Sequence, residues 1–279
     1  MTTAALIGSG ISASLTPALH EQEGAAHGLN YTYERYDMST PRFAQASLAD
    51  VLALAQQSGL VGVNVTYPFK QSVLEYLDEV SPEARDIGAV NTVVFEGGKW
   101  IGHNTDYRGF RAAFVREINR FPLADVALVG AGGAGAAVGL ALVDQGVGAL
   151  HIFDKDSDAA LGLTATLSRL RPAAQIAVWD GKAPVDGLVN ATPMGMATHP
   201  GMAVSLEDVL VRSWVGDIVY FPLTTALLRD ARGRGLHTMT GGGMAVGQAA
   251  ASFDLFTGRT ADVARMTGHF QTLTKDIAA

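Results

Sequence analysis

The chain has no cysteine among its 279 residues, which excludes disulfide bonds and thiol chemistry and weakens the case for structural zinc. Basic residues are also scarce: 20 Lys and Arg against 27 Asp and Glu give a net charge of −7, which provides no basic surface for nucleic acid. The first basic residue is Arg35, so the N-terminus lacks the positive region of a signal peptide. His20, His103 and His199 lack metal-ligand spacing, and we expect no metal site. These features predict a cytoplasmic enzyme without a nucleic-acid or membrane partner.

Charge is missing altogether from the eighteen residues between Asp125 and Asp144. That length is within the range of a membrane span, but five glycines divide the stretch into a short strand and a helix, which disfavours a span. The apolar run 126–129 predicts a buried strand, and the glycines at 130, 132 and 135 then fit G-x-G-x-x-G before an Ala-rich helix. Such a loop is typical of dinucleotide binding, and the alternative is a packing turn with no ligand.

The segment after this helix favours the ligand. Leu150–Phe153 predicts a second strand, and Asp154 ends it nineteen residues after Gly135, where the acid that binds the adenosine ribose is expected. The phosphates would lie at the helix N-terminus. A carboxylate accepts hydrogen bonds from an unmodified ribose and repels a 2′-phosphate by about 3 kcal/mol at ~5 Å and an effective dielectric of ~20. The sequence therefore predicts NAD as the cofactor.

Short strands alternate with helices along the whole chain, which predicts an α/β fold of two domains with mainly parallel sheets. In the first half we expect strands at 6–8, 31–36 and 60–65, and helices at 42–57 and from Thr16 as N-cap with Pro17 in the first helical position. A β-hairpin follows around Gly97-Gly98, and we expect its second strand to end at Asp106, near the domain boundary. A helix at 107–119 comes next. Further strands are expected at 126–129, 149–153, 175–178, 187–190, 215–219 and 236–239, with a final helix at about 260–274.

Eight ordered segments resemble the shikimate dehydrogenase family across nearly the whole chain. They are 14–17 (SLTP), 64–70 (NVTYPFK), 89–92 (AVNT), 102–106 (GHNTD), 130–135 (GAGGAG), 190–196 (NATPMGM), 217–222 (DIVYFP) and 243–248 (GMAVGQ). The resemblance is strongest to the bacterial quinate/shikimate branch that uses NAD. It implies that residues 245–279 return to a substrate domain formed by residues 1–105. Residues 106–244 would then form a Rossmann-type NAD-binding domain.

The resemblance also assigns roles to individual residues. It implies that Lys70 and Asp106 handle the proton; a nearby Asp106 favours the ammonium of Lys70, burial favours the amine, and the sequence leaves both open. Thr16 is typical of members that accept quinate, whereas serine is typical of members restricted to shikimate. The alternative for Thr16 is a helix cap alone. The implied substrate-binding residues are Ser14, Thr16, Thr66, Lys70, Asn91, Asp106, Tyr220 and Gln248. The implied cofactor-binding residues are Gly130, Ala131, Gly132, Gly133, Ala134, Gly135, Asp154, Asn190, Ala191, Thr192, Met194, Val219, Gly241 and Met244.

These residues together predict an NAD-dependent oxidoreductase that reversibly oxidises a ring hydroxyl of quinate and shikimate to 3-dehydroquinate and 3-dehydroshikimate. Three alternatives stay open. One is a strictly NADP-dependent shikimate dehydrogenase, the second is an enzyme of an amino-substituted analogue, and the third is a non-catalytic dinucleotide-sensing regulator. The sequence fits a monomer or a homodimer and leaves the preferred substrate and direction open.

Overall fold

The computed structural model describes residues 1–43 and 45–278, with side chains described up to residue 275. Its contacts divide the chain into two compact units. Unit 1 comprises Met1–Thr105 and the chain from Val246 onward, and unit 2 comprises Asp106–Ala245. Both units are α/β structures built on mainly parallel sheets, as the sequence predicts. Within the described ranges, none of the helices is long and apolar enough to cross a membrane.

The strands follow the short apolar runs of the sequence. They are β1 (Thr2–Gly8), β2 (Tyr31–Asp37), β3 (Gly62–Val65), β4 (Glu79–Val80), β5 (Thr92–Glu96), β6 (Lys99–His103), β7 (Asp125–Val129), β8 (Ala149–Phe153), β9 (Gln175–Val178), β10 (Val185–Asn190), β11 (Val211–Asp217) and β12 (His237–Met239). The helices are α1 (Thr16–Ala26), α2 (Leu48–Gln57), α3 (Pro82–Ile87), α4 (Thr105–Glu117), α5 (Gly133–Asp144), α6 (Ser157–Leu170), α7 (Ala226–Gly233), α8 (Gly242–Thr257) and α9 (Val263–Ala278), with a 3₁₀ helix at Ser72–Tyr76.

The sheet of unit 1 has the strand order β2-β1-β3-β5-β6-β4. Its first three strands are parallel, and β5 runs antiparallel to both β3 and β6. Strands β5 and β6 form the predicted hairpin. The sheet of unit 2 has the order β12-β11-β10-β7-β8-β9, with every neighbouring pair parallel. Its central strands β7 and β10 are buried on both faces, which explains the apolar run 126–129 within β7.

Several predicted boundaries are wrong. The strands predicted at 6–8 and 215–219 are Thr2–Gly8 and Val211–Asp217. Three further boundaries are wrong for a local reason. Helix α2 begins at Leu48, not at 42, because Ser47 forms a capping box with Asp50; residue 44 of the predicted helix lies outside the described residues. Thr16 is the first residue of α1 and not its cap, since Leu15 occupies the N-cap position. Asp106 does not end a strand: β6 stops at His103, and Asp106 lies in the first turn of α4.

Helices α8 and α9 complete unit 1 by packing against its earliest elements. The ring of Phe256 lies against β3 so closely that a Cβ at Gly62 would be 2.6 Å from it. A second attachment joins α9 to α1. Glu23 of α1 is 1% exposed and accepts hydrogen bonds from the Arg265 guanidinium at 2.6 and 2.9 Å. The Asp262 backbone N–H donates to the same carboxylate at 2.8 Å. This ion pair fixes the start of α9 to α1.

Candidate active site

Three of the predicted substrate residues of unit 1, Ser14, Thr66 and Lys70, lie on loops that follow the carboxyl ends of β1 and β3. Backbone hydrogen bonds hold these loops together: the Ser9 N–H donates to the Tyr67 carbonyl at 3.0 Å, and the Val90 N–H donates to the Lys70 carbonyl at 2.8 Å. A Cβ at Gly8 would lie 2.4 Å from the Thr66 methyl group, so only glycine permits this approach. The sheet thus gathers the loops of Ser14, Thr66 and Lys70 at one edge, as parallel strands do around ligands.

Ser14 and Thr16 form a connected pair of hydroxyls at the start of α1. The Ser14 hydroxyl donates to Thr16 Oγ1 at 3.2 Å and accepts from the Thr16 backbone N–H at 3.3 Å. The guanidinium of Arg35 donates to the Ser14 carbonyl at 2.8 Å and anchors the segment from β2. Two hydroxyls beside a helix N-terminus can donate hydrogen bonds to a carboxylate, and the guanidinium of Arg35 adds a positive charge to this segment.

Asn91 and Gln248, which also belong to unit 1, are joined by a hydrogen bond, although 157 residues separate them in the chain. The Asn91 amide donates to Gln248 Oε1 at 3.5 Å and to Thr105 Oγ1 at 3.0 Å. Asn91 Oδ1 accepts the Thr105 backbone N–H at 2.7 Å. Asn91 is 3% exposed, so its amide is held by protein partners and not by bulk water. Such fixed amides suit the recognition of ring hydroxyls.

The two residues implied in proton handling belong to different units. Lys70 lies half-buried in unit 1, directly after the Thr66–Phe69 turn. Asp106 lies in unit 2 and is 4% exposed in the first turn of α4. Tyr220, also in unit 2, is half-buried three residues after the end of β11.

In unit 2 the glycine loop has the close backbone approach that a dinucleotide requires. Gly130 has a φ of +108°, and a Cβ there would lie 2.9 Å from the Ala191 carbonyl. A Cβ at Gly135 would lie 2.0 Å from the Gly130 oxygen, so glycine is obligatory at both positions. A Cβ at Gly132 would meet nothing within 4 Å, which leaves open space above the start of α5. Gly132 is the N-cap of α5, and it has no side chain that could accept hydrogen bonds from the first N–H groups of the helix. A phosphate could accept them instead.

Asp154 stands beside this loop in a fixed orientation. Its Oδ2 accepts the Ala131 backbone N–H at 2.7 Å, and its Oδ1 accepts the Asp156 backbone N–H at 3.0 Å. Each oxygen keeps a second lone pair for the hydroxyls of a ribose. The loop, the helix start and this acid therefore fit the phosphates and the adenosine ribose of a nicotinamide dinucleotide.

The remaining predicted cofactor residues lie at the ends of β10, β11 and β12. The Asn190 side chain orders its own loop, because its Oδ1 accepts the Thr192 hydroxyl at 2.7 Å and its Nδ2 donates to the Met194 carbonyl at 3.0 Å. A Cβ at Gly241 would lie 2.2 Å from the Ile218 oxygen, which brings the start of α8 against the backbone that leads to Val219. Buried in the same region are Ala191, Val219 and Met244.

Asp217 is a residue of this region whose part the sequence did not indicate. It is fully buried and accepts three hydrogen bonds, from Asn190 Nδ2 at 3.0 Å, the Val219 N–H at 3.0 Å and the Thr225 hydroxyl at 2.7 Å. Burial raises the pKa of the Asp217 carboxyl to about 6, against the opposing effect of these donors. The family segment 217–222 begins at Asp217, but the resemblance gives this carboxylate no role.

Among the side chains that the structure describes, no cluster of three His, Asp or Glu residues could hold a metal ion. The carboxylate of Asp154, beside the glycine loop, accepts two backbone N–H groups.

Comparison with known proteins gives two family matches. Residues 6–93 match the model of the shikimate dehydrogenase substrate binding domain, and residues 241–268 match that of the shikimate 5′-dehydrogenase C-terminal domain.

Relatives match nearly the full chain. A shikimate dehydrogenase (NADP(+)) of Pseudarthrobacter chlorophenolicus is 46% identical over 95% of this chain and 92% of its own length. A quinate/shikimate dehydrogenase (NAD(+)) of Corynebacterium efficiens is 44% identical over 96% of this chain and 97% of its own. Among solved structures, quinate dehydrogenase from Corynebacterium glutamicum in complex with NAD superposes with a TM-score of 0.89, at 41% identity over 97% and 99% of the two chains.

Proposed function

The chain belongs to the shikimate dehydrogenase family, and we propose that it is an NAD-dependent dehydrogenase of quinate and shikimate. As a member of this family it is an oxidoreductase that acts on a CH–OH group with a nicotinamide dinucleotide. The observation that carries the choice of NAD is the carboxylate of Asp154, fixed by two backbone N–H groups beside the glycine loop. A 2′-phosphate would meet this negative charge, whereas a free ribose would hydrogen-bond to it.

The substrate is a polyhydroxylated ring acid, reversibly oxidised to the corresponding ketone. Its carboxylate binds the hydroxyls of Ser14 and Thr16, and its ring hydroxyls bind Thr66, Asn91 and Gln248. Threonine at position 16 supports quinate beside shikimate, since its methyl group restricts the rotation of the hydroxyl more than serine would. One methyl group can discriminate two similar substrates by about 1–3 kcal/mol.

Lys70 and Asp106 handle the proton of the reacting hydroxyl. A nicotinamide dinucleotide, held by the glycine loop and Asp154, would supply the hydride chemistry that oxidation of this carbon requires. Lys70 takes the proton from the oxygen during oxidation and returns it during reduction. The family resemblance assigns Asp106 to the handling of the same proton. General acid–base catalysis of this kind contributes roughly 10²–10⁴-fold to a rate.

A strictly NADP-dependent shikimate dehydrogenase is the second candidate, favoured by the name of the 46% identical relative. An assay at 340 nm with quinate and shikimate, each with NAD and with NADP, separates the two candidates. We expect activity on both acids with NAD. A wild-type preference for NADP, or no activity on quinate, would overturn the corresponding part of the proposal.

Lys70→Ala tests the proposed chemistry in the same assay. We expect turnover to fall by at least about 10²-fold, while the dissociation constant of NADH changes little. Lys182→Ala, the same change in an exposed lysine of unit 2 outside the proposed substrate and cofactor sites, is the control. Near wild-type turnover in Lys70→Ala would remove the lysine from the mechanism.

A further inference from the structure

A row of buried polar side chains crosses the sheet of unit 1 and ends at Asn91. It begins with Tyr33 on β2, continues with Asn64 on β3 and reaches Thr92 on β5, and all three are less than 5% exposed. The neighbouring strands bury mainly apolar side chains, so these three polar side chains are exceptions in the core of unit 1. Buried polar groups remain costly unless each is paired, so their partners indicate what the row is for.

The hydrogen bonds of this row have one direction. The Tyr33 hydroxyl donates to Asn64 Oδ1 at 2.6 Å, and Asn64 Nδ2 donates to Thr92 Oγ1 at 2.9 Å and to the Asn91 carbonyl at 3.2 Å. The Thr92 hydroxyl then donates to Asn91 Oδ1 at 3.1 Å. Because a backbone carbonyl can only accept, the atom of Asn64 that faces it must be the amide nitrogen, which fixes the sense of the whole row.

The same logic fixes the amide of Asn91. The Thr105 backbone N–H can only donate, so the Asn91 atom at 2.7 Å from it must be the oxygen. That oxygen also accepts the Thr92 hydroxyl and is therefore occupied by protein donors. The amide nitrogen of Asn91 is consequently the atom directed to Gln248, on the side where the proposed substrate binds.

We propose that Tyr33 and Thr92 are positioning residues, which orient Asn91 so that the amide N–H on the side of Gln248 is presented to an oxygen of the polyhydroxylated ring acid. This proposal rests on the substrate site proposed above. Without the Thr92 hydroxyl, Asn91 Oδ1 loses one of its donors and the amide is less firmly held. The affinity for the ring acid depends on this orientation, whereas dinucleotide binding, proposed for unit 2, does not.

Tyr31 offers a matched comparison on the same strand. It is buried like Tyr33, and both rings lie against His20, with centroids at 6.0 and 4.5 Å. The Tyr31 hydroxyl meets His20 Nδ1 at 3.2 Å, and His20 Nε2 meets the Ser252 hydroxyl at 3.3 Å. That connection leads to α8 and not to Asn91. Removing either hydroxyl therefore costs one buried hydrogen bond, but only Tyr33 belongs to the row.

The experiment compares Tyr33→Phe and Thr92→Val with Tyr31→Phe and with the conservative Thr92→Ser. KM and kcat are measured for quinate and shikimate, together with the Kd of NADH by fluorescence and the Tm. We expect Tyr33→Phe and Thr92→Val to raise KM for the ring acids about five- to tenfold, as for one neutral hydrogen bond, without a change in the Kd of NADH. Tyr31→Phe should lower the Tm as much as Tyr33→Phe and leave KM unchanged, and Thr92→Ser should keep the wild-type KM.

Equal KM values for Tyr33→Phe and Tyr31→Phe would overturn the proposal, because the row would then have a structural role alone. Tyr33→Phe keeps the packed ring and decides the question if Thr92→Val does not fold. Asn91→Ala separates this proposal from the one on which it rests. An unchanged KM in Asn91→Ala would refute the substrate site itself. A raised KM in Asn91→Ala with unchanged values in the other variants would refute only the positioning role.

Discussion

At the scale of single residues, the loop that follows β8 carries the acids Asp154 and Asp156. We propose that this loop lies beside the adenosine ribose, at whose 2′ position NAD and NADP differ. Asp154 accepts two backbone N–H groups, so its carboxylate cannot turn away from a ligand without losing both. Asp156 caps α6 by accepting the Asp158 N–H at 3.0 Å, which occupies a donor that a phosphate could use. Both acids support the proposed preference for a ribose without phosphate.

Asp154→Asn removes the nearer charge and keeps the side-chain size. We expect the ratio of kcat/KM for NAD over NADP to fall by roughly tenfold or more, because the repulsion disappears and one ribose hydrogen bond weakens. Asp158→Asn makes the same charge change on an exposed residue farther along α6 and is the control, for which a much smaller change is expected. Similar ratios in both variants would contradict a specific part for Asp154.

Asp217 should make the stability of the protein depend on pH. Its folded pKa of about 6 lies above the ordinary 3.8, so its contribution is most favourable below 3.8 and is lost as the pH rises through about 6. Asp217→Asn no longer titrates, and its amide can still accept from Asn190 and donate to Thr225. Relative to wild type, the variant should therefore gain free energy of unfolding between pH 4 and pH 7.5, by about 3 kcal/mol at most at 1.36 kcal/mol per pKa unit. Urea denaturation of both proteins at the two pH values measures this; a constant difference would contradict it.

At the scale of elements, the ends of helices were harder to predict than their existence. The apolar spacing of Leu48, Val51, Leu52 and Ala55 indicates α2, but only the Ser47–Asp50 capping box determines where it starts. The hairpin pattern around Gly97-Gly98 predicts a second strand that ends at Asp106. The chain instead turns into α4 at Thr105, whose N–H is captured by Asn91. That contact between distant segments has no local signature in the sequence.

The attachment of α9 to α1 should be sensitive to acid. Burial raises the pKa of Glu23, but the hydrogen bonds from Arg265, Asp262 and His27 outweigh it and hold that pKa below its usual range. The stabilisation from this carboxylate is therefore present at neutral pH and is lost as the pH falls through the folded pKa. Arg265→Met leaves the buried carboxylate without its guanidinium partner.

We expect Arg265→Met to lower the Tm by several degrees and to speed hydrogen exchange in α9. Lys99→Met, which breaks the exposed pair of Lys99 with Glu79, is the control and should change the Tm little. An equal change in Tm for the two variants would show that the buried pair contributes no more than a surface pair.

At the scale of the whole molecule, the cofactor loop was easier to predict than the polar interior. Gly130, Gly135 and Asp154 are recognisable because the glycine spacing and the following acid are set within one β-α-β unit. Tyr33 and Thr92 lie on strands where polar residues would ordinarily face solvent, and Asp217 ends a strand like many surface acids. Their partners come from separate strands, so their burial depends on packing that no local pattern records.

The two units should respond separately to the two ligands. NADH alone should slow hydrogen exchange at 130–135 and 190–194 in unit 2, and quinate alone should slow it at 8–16 and 66–70 in unit 1. Each ligand at about 100 times its Kd should also stabilise the protein by about 2.7 kcal/mol. Exchange measured by mass spectrometry with each ligand tests this, and protection of 8–16 by NADH alone would contradict the proposed division.

The interrupted course of unit 1 has a consequence for synthesis on the ribosome. Translation delivers the whole of unit 2 before the chain from Val246 onward exists. Domains generally fold as units while the nascent chain emerges. Unit 2 can therefore be complete while the face of β3 at Gly62 still lacks Phe256 and is open to chaperones. A premature stop codon between Val246 and Phe256 would leave unit 2 whole and deprive unit 1 of the Phe256 ring.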